Sequence, residues 1–312
     1  MNIYKARYMF LVLAAVVLFM TACSSSIGGS GGSSLTPLQV LQNSAKTMQQ
    51  LKSAHFQMTT NGGFQTAASQ SSTPTTGTPT PTGNISLNLT GSGDENLPDQ
   101  ESLNLTVNSA INLAEIVQGN KVYVQNTQGQ WYVMDKSAIS GLSGNPLSGI
   151  NLLNLNDLLG LAQSAKLTDH GDESLNGQSL RHITVTLDKN GFQQLINSNQ
   201  QLQNLFGQQN IDAVLGSTKN LTASLDLWID ETQFYLHRVE LKFNLNADLS
   251  GLGASTTPTI NRGATGVTIP PELTATLDSI VDLSKFNVPV TITPPANAIP
   301  TDNPLSILGL GQ

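Results

Sequence analysis

Residues 225–245 read LDLWIDETQFYLHRVELKFNL. Leu225, Leu227 and Ile229 alternate with polar neighbours. Beyond Asp230-Glu231 the alternation resumes through Tyr235, Val239, Leu241, Phe243 and Leu245, interrupted at His237. A period of two sends successive side chains to opposite faces of an extended chain, so each run is a strand with one apolar and one wet face. The same pattern recurs at Ile85-Leu87-Leu89, Leu103-Leu105-Val107 and Ile183-Val185-Leu187. Shorter runs at 121–125 and 130–134 flank Gln128-Gly129, which reads as a hairpin turn. One-sided alternation predicts a mostly antiparallel sheet buried on one face only.

That buried face needs a cover. In 37–52, Leu38, Leu41, Ala45, Met48 and Leu51 recur at helical spacing, with Thr36 as N-cap and Pro37 at the first helical position. Residues 150–165 are leucine-rich through Leu152, Leu153, Leu155, Leu158, Leu159 and Leu161. A second segment, 191–206, carries Phe192, Leu195, Ile196, Leu202 and Leu205, and 211–215 adds a short turn. Residues 66–83 and 250–271 are rich in Ser, Thr, Gly and Pro without apolar period and read as loops. Strand-like residues return at 273–283 and in a closing strand at 288–292, and the tail beyond Ala296 is expected to be loosely ordered. The expected class is α+β, either a compact core or an open half-barrel whose helices lie over a lipid-sized cavity. Periodicity fits both.

The N-terminus is a second, independent signal. Lys5 and Arg7 precede an apolar run over 9–20, and Met20-Thr21-Ala22-Cys23 closes it. The run is shorter than the roughly 20 residues a membrane-spanning helix needs, and it has the layout of a secretory signal. Cys23 is the single cysteine, placed as in a lipobox, so residues 1–22 are expected to be removed and Cys23 to carry lipid. Ser24–Ser34 is Gly/Ser-rich, a flexible leash reaching about 15–20 Å. The expected location is the outer face of a plasma membrane, or an outer membrane in a two-membrane cell.

A net charge of −7 offers no basic stripe to displace counterions, which excludes nucleic acid as a partner. With Cys23 acylated, no thiol remains for a disulfide, zinc or catalysis. There is no Gly-x-Ser-x-Gly elbow, and His55, His170, His182 and His237 are scattered without metal-ligand spacing. Asp226 and Asp230 flank Trp228 and lack the oxygen-rich loop of a calcium site. Asp172-Glu173 reads as an exposed pair before the hairpin signal Asn176-Gly177. Trp131 and Trp228 read as strand aromatics covering a sheet face, the other reading being a cavity mouth or membrane interface. Asn-x-Ser/Thr sequons at Asn84, Asn88, Asn104 and Asn220 are ordinary in Asn/Thr-rich strands. Neither a catalytic residue, a metal nor a cofactor is indicated.

Several short motifs together carry a family resemblance. Besides Cys23 these are Lys52-Ser53-Ala54-His55-Phe56, where a first strand begins, and Gly119-Asn120-Lys121-Val122-Tyr123-Val124 followed by Gly129-Gln130-Trp131-Tyr132. Leu225-Asp226-Leu227-Trp228-Ile229-Asp230 with Leu236-His237-Arg238-Val239 is a further match. Leu283-Ser284-Lys285-Phe286-Asn287-Val288-Pro289-Val290 and Ile292-Thr293-Pro294-Pro295 complete the set. The set resembles the LppX/LprAFG lipoproteins; the resemblance spans 36–296, with departures at 66–83 and 246–271 and a tail at 297–312. It implies a LolA/LolB-like half-barrel with an apolar cavity that binds lipid or glycolipid acyl chains and carries them in the cell envelope. An envelope transporter or another lipoprotein would then be a partner. The residues expected to line the cavity are Leu87, Leu89, Leu103, Leu105, Val107, Ile183, Val185, Leu225, Leu227, Val239, Leu241 and Phe243, with Leu153, Leu158 and Leu161 as lid. The alternative is an envelope sensory or protein-binding lipoprotein of the same fold with a filled core.

Overall fold

A computed structural model describes residues 35–67, 84–139, 162, 165–198, 215–248 and 272–302. Cys23, the leash, the 68–83 and 249–271 segments, lid residues Leu153, Leu158 and Leu161, and 303–312 lie outside them.

The chain opens with helix α1, Pro37–Met48. Thr36 caps it as a capping box: its Oγ1 accepts from the Gln39 N–H, and the Gln39 side chain accepts from the Thr36 N–H at 2.9 Å. The helix stops earlier than the apolar spacing through Leu51 suggests. Thr36→Ala is expected to cost about 1 kcal/mol of stability, read from the midpoint of chemical unfolding.

Strands follow as β1 (Ser53–Ala67), β2 (Asn84–Asn96), β3 (Gln100–Val107), β4 (Ile111–Gln118), β5 (Lys121–Gln125) and β6 (Trp131–Asp135), then the one-turn helix α2 (Lys136–Ile139). β7 (Lys166–Leu175) and β8 (Gln178–Leu187) form a hairpin, succeeded by helix α3 (Lys189–Ser198). β9 (Thr218–Ile229), β10 (Leu236–Asp248), β11 (Glu272–Ser284) and β12 (Ile299–Pro300) complete the described elements. All twelve strands join one sheet in the order β12-β6-β5-β4-β3-β2-β1-β11-β10-β9-β8-β7. Every pairing is antiparallel except β12 with β6.

The sheet is open, with β12 and β7 as its two ends, and it bends around α1. That helix is about 18 Å long and leaves β1, in mid-sheet, through a short connector. It nonetheless reaches β7, five strands away, a span of about 24 Å in a flat sheet. Its buried Val40 and Leu41 join one apolar cluster with Phe56, Leu103, Ile183, Leu225, Val239 and Leu283. Strands from β3 to β8 thus face a common interior, an α+β half-barrel.

Two irregularities adjust which side chains face inward. The break at His237 is a bulge: the β9–β10 register shifts between Leu236 and Arg238. Leu236 opposite Ile229 and Val239 opposite Leu227 are therefore both buried. At the β7–β8 hairpin, Asn176 and Gly177 both have positive φ (52° and 81°), as a two-residue turn of the primed type requires.

The closing strand expected at 288–292 does not form. Pro289 and Pro294 lack donors, and both sides of the preceding strand β11 are already taken by β1 and β10. The chain runs on instead to the far edge of the sheet. There Ile299–Pro300, in the tail expected to be loose, pairs with Tyr132 and Val133 of β6.

Candidate functional site

Cross-strand register decides which residues share the inner face. Thr60, Leu89, Val107 and Ile111 lie opposite one another across β1–β4, as do Met58, Gly91, Leu105 and Leu113. Phe56, Gly93, Leu103 and Glu115 form the next row. On the other side of β1, Phe243 lies between Ala223 and Leu277, and Val239 between Leu227 and Val281. Ile183 and Val185 oppose Leu227 and Leu225. The twelve strand residues anticipated as an apolar lining therefore all stand on one face.

They do not share one environment. Across β8–β10 the face is largely filled by the chain itself: Ile183 and Leu225 are fully buried, Val185, Leu227 and Val239 nearly so, and Leu241 is half-buried against them. Phe192 of α3 stacks on Phe243 with ring centroids 4.8 Å apart. Across β1–β4 the cover thins. Leu103 and Leu105 are buried, but Leu87, Leu89, Val107 and Leu113 are half-exposed. At the end of this half, Phe64 is 41%, Ile111 45% and Ile85 66% exposed. Phe64 and Ile85 are direct cross-strand partners, so an apolar rim continues the interior outward.

The opposite end of the same half is acidic, which periodicity did not reveal. Glu95 and Glu101 are directly opposed on β2 and β3, and Glu115 stands on the same face opposite Leu103. Burial, reinforced by the neighbouring Glu101 charge, pushes the Glu95 carboxyl up to about 7. Burial also raises Glu101, against the pull of Lys136. Glu101 Oε1 is buried with no hydrogen-bond partner among the described residues. These carboxyls separate the main apolar cluster from a small one at Val122, Val124 and Met134.

The second face is polar. Arg238 and Asp282 make a two-pronged ion pair at 2.6 and 2.8 Å, and Lys242 meets Glu240 at 2.7 Å. An open groove of about 680 Å³ is lined by residues of both faces, among them Thr186, Ser224, Lys242, Leu187, Phe243 and Leu277. Trp228 covers the polar face as a strand aromatic, stacked on His182 at 4.2 Å, with its indole N–H donating to Glu173 at 3.2 Å. Asp172 and Glu173, anticipated as an exposed pair before the turn, are exposed but belong to β7. Among the described residues no helix is long and apolar enough to cross a membrane.

No family model matches the chain, and no curated protein matches it in sequence. Among solved structures it is similar to the Mycobacterium tuberculosis lipoprotein LppX, at 15% identity and TM-score 0.44, over 82% of this chain and 97% of that one. It is also similar to LprF from Mycobacterium bovis, at 17% identity and TM-score 0.43, over 86% and 100%. A putative outer membrane lipoprotein-sorting protein domain from Vibrio parahaemolyticus aligns at 9% identity and TM-score 0.24, over 80% and 93%.

Proposed function

We propose that this chain is a non-catalytic envelope lipoprotein that receives the acyl chains of a lipid or glycolipid on the inner face of its half-barrel. The observation that carries the reading is the graded exposure of that face, mostly covered across β8–β10 and open across β1–β4 toward Phe64, Ile85 and Ile111. Burying an acyl chain there removes apolar surface from water at about 25 cal/mol per Å², and needs no specific polar contact. Leu87, Leu89, Leu105 and Val107 line the occupied part in this reading, while Ile183, Val185, Leu225 and Leu227 serve as core. Cys23, acylated after signal removal, tethers the body to the membrane that supplies the lipid. Two or more acyl chains on Cys23 hold firmly, whereas one binds marginally.

The test is native mass spectrometry with lipid extraction on the exported chain carrying Cys23→Ala. A discrete lipid near one per chain is expected. Leu89 is half-buried at the border of the main apolar cluster, so circular dichroism is used to check that Leu89→Asp folds. A carboxylate set against an acyl chain loses its hydration without a partner, and occupancy should drop at least tenfold. A folded Leu89→Asp protein that keeps full occupancy would refute the lining. A wild-type chain that stays lipid-free after incubation with membranes would favour the filled, partner-binding alternative.

A further inference from the structure

We propose that His170, His182 and Asp226 form a site for one zinc-type divalent transition-metal ion on the polar face of the half-barrel, away from the acyl-binding face. The three residues are remote in sequence and come from three adjacent strands, β7, β8 and β9. Register supplies two of them: His182 lies opposite Trp228, and Asp226 opposite Thr184, one step along the same face. The third arrives through a bulge. Between Asp169 and Gly171 the β7–β8 ladder shifts, so β7 places an extra residue against β8. That residue is His170, whose ring stacks on His182 at 4.3 Å.

One nitrogen from each imidazole and one Asp226 oxygen lie within 4.8 Å of one another. His182 Nε2 is 3.1 Å from Asp226 Oδ1. Thr184 Oγ1 donates to the same Oδ1, and His170 Nε2 is 2.9 Å from that hydroxyl. His182 Nε2 thus meets the carboxylate oxygen directly, whereas His170 Nε2 reaches it through the Thr184 hydroxyl. Ligand atoms around tetrahedral zinc stand about 3.3 Å apart, given bonds of about 2.0–2.1 Å. The His182–Asp226 pair already has that spacing. The remaining closure falls to His170, which is exposed and sits on the bulge; its ring lies within 20° of parallel to His182, so it must swing off that stack to aim Nε2 at the ion.

The surroundings suit a ligand set. Glu173 Oε1 lies 3.0 Å from His182 Nδ1. When Nε2 takes a metal, the imidazole proton moves to Nδ1, and the exposed Glu173 carboxylate, close but not yet aligned for a hydrogen bond, has only to turn to accept it, the arrangement that orients histidine ligands. Trp228 backs the His182 ring and fixes its plane. Two cations lie near the site and both are engaged: Arg238, 5.9 Å from the Trp228 ring centroid, by Asp282, and Lys242, which also feels the Asp226 charge, by Glu240. Two imidazoles and one carboxylate select zinc-like ions over calcium or magnesium, which prefer oxygen throughout. Three protein ligands leave a position for water or a donor from outside.

The test is zinc titration of the full-length, chelator-stripped protein by calorimetry, with metal content measured after gel filtration. The expected result is one zinc per chain, with affinity reduced at least tenfold in His170→Ala and in Asp226→Asn, both checked for folding by circular dichroism. His55→Ala, whose imidazole pairs with Asp94 elsewhere on the sheet, should bind as the wild type does. Absence of zinc uptake by the wild-type chain overturns the site. So does binding in folded His170→Ala and Asp226→Asn that equals wild type. Lipid occupancy of His170→Ala is expected to stay at the wild-type level, so this result stands or falls apart from the acyl-binding reading.

Discussion

Gly93→Ala should destabilise the protein by about 3 kcal/mol, the upper part of the range for overpacking a core. Gly93 lies opposite Phe56 and Leu103 on the inner face. A β-carbon there would stand 2.5 Å from Phe56 Cζ and collide with the Ser102 carbonyl oxygen on β3. Neither obstacle can give way. Phe56 is 1% exposed and packed into the main cluster, and the carbonyl belongs to a strand held on both sides. The glycine is thus the hollow that admits the Phe56 ring against β2. Gly216→Ala is the control, because its methyl meets nothing within 4 Å, and its stability should stay within about 0.5 kcal/mol of wild type. Denaturant midpoints of the two variants check the claim. Equal midpoints would mean that the ring and strand accommodate the methyl.

Glu95→Gln should do the reverse, raising stability at neutral pH and flattening its pH dependence. The Glu95 carboxyl titrates at about 7 in the folded chain, against an ordinary value of 4.5. Between those values the folded protein keeps a proton that the unfolded chain has released. The unfolded state therefore binds fewer protons there, and stability falls as pH rises from about 4.5 to 7, by up to about 3 kcal/mol. Above pH 7 the loss is complete and constant. The amide stays neutral throughout and ends the like-charge opposition with Glu101 across the β2–β3 ladder. Urea unfolding at pH 5 and pH 8 measures the difference: the wild type should lose clearly more stability between them than Glu95→Gln. A residual slope from Glu101, itself raised by burial, is expected in the variant. Equal losses in both proteins would mean that Glu95 is solvated and that its end of the inner face is wet.

The sequence was most informative where burial is one-sided. Alternating runs at 225–229, 239–245, 183–187 and 103–107 became β9, β10, β8 and β3, and their apolar members share one face. It was silent where a strand's partners rather than its own side chains define it. Residues 111–118, INLAEIVQ, do not alternate, because Glu115 faces inward and Ala114 outward, both buried, yet they form β4. β1 runs through Asn61-Gly62-Gly63, a poor strand sequence, since ladders with both β2 and β11 hold it. β7 is polar because it lies at an edge. The histidine pair escaped detection for a related reason: no spacing rule along one chain anticipates a bulge that stacks His170 on His182. The acidic row escaped because a glutamate on an apolar face interrupts the periodicity that reveals the face.

β12 has a consequence for what the protein does in a crowd of its own copies. A long open sheet with bare backbone edges is a template for another chain's strand, the first step toward fibres. Here one end finishes in a strand of two residues, Ile299–Pro300. Thr301 donates inward to the Val133 carbonyl, so by alternation the nitrogen of Pro300 points outward, where it has no hydrogen to offer an incoming strand. The other end, β7, is bulged at His170 and carries Lys166, Asp169, Asp172 and Glu173. The sheet stops growing because its outermost strands cannot be copied, and it can keep an apolar interior open at one end without inviting polymerisation at its sides.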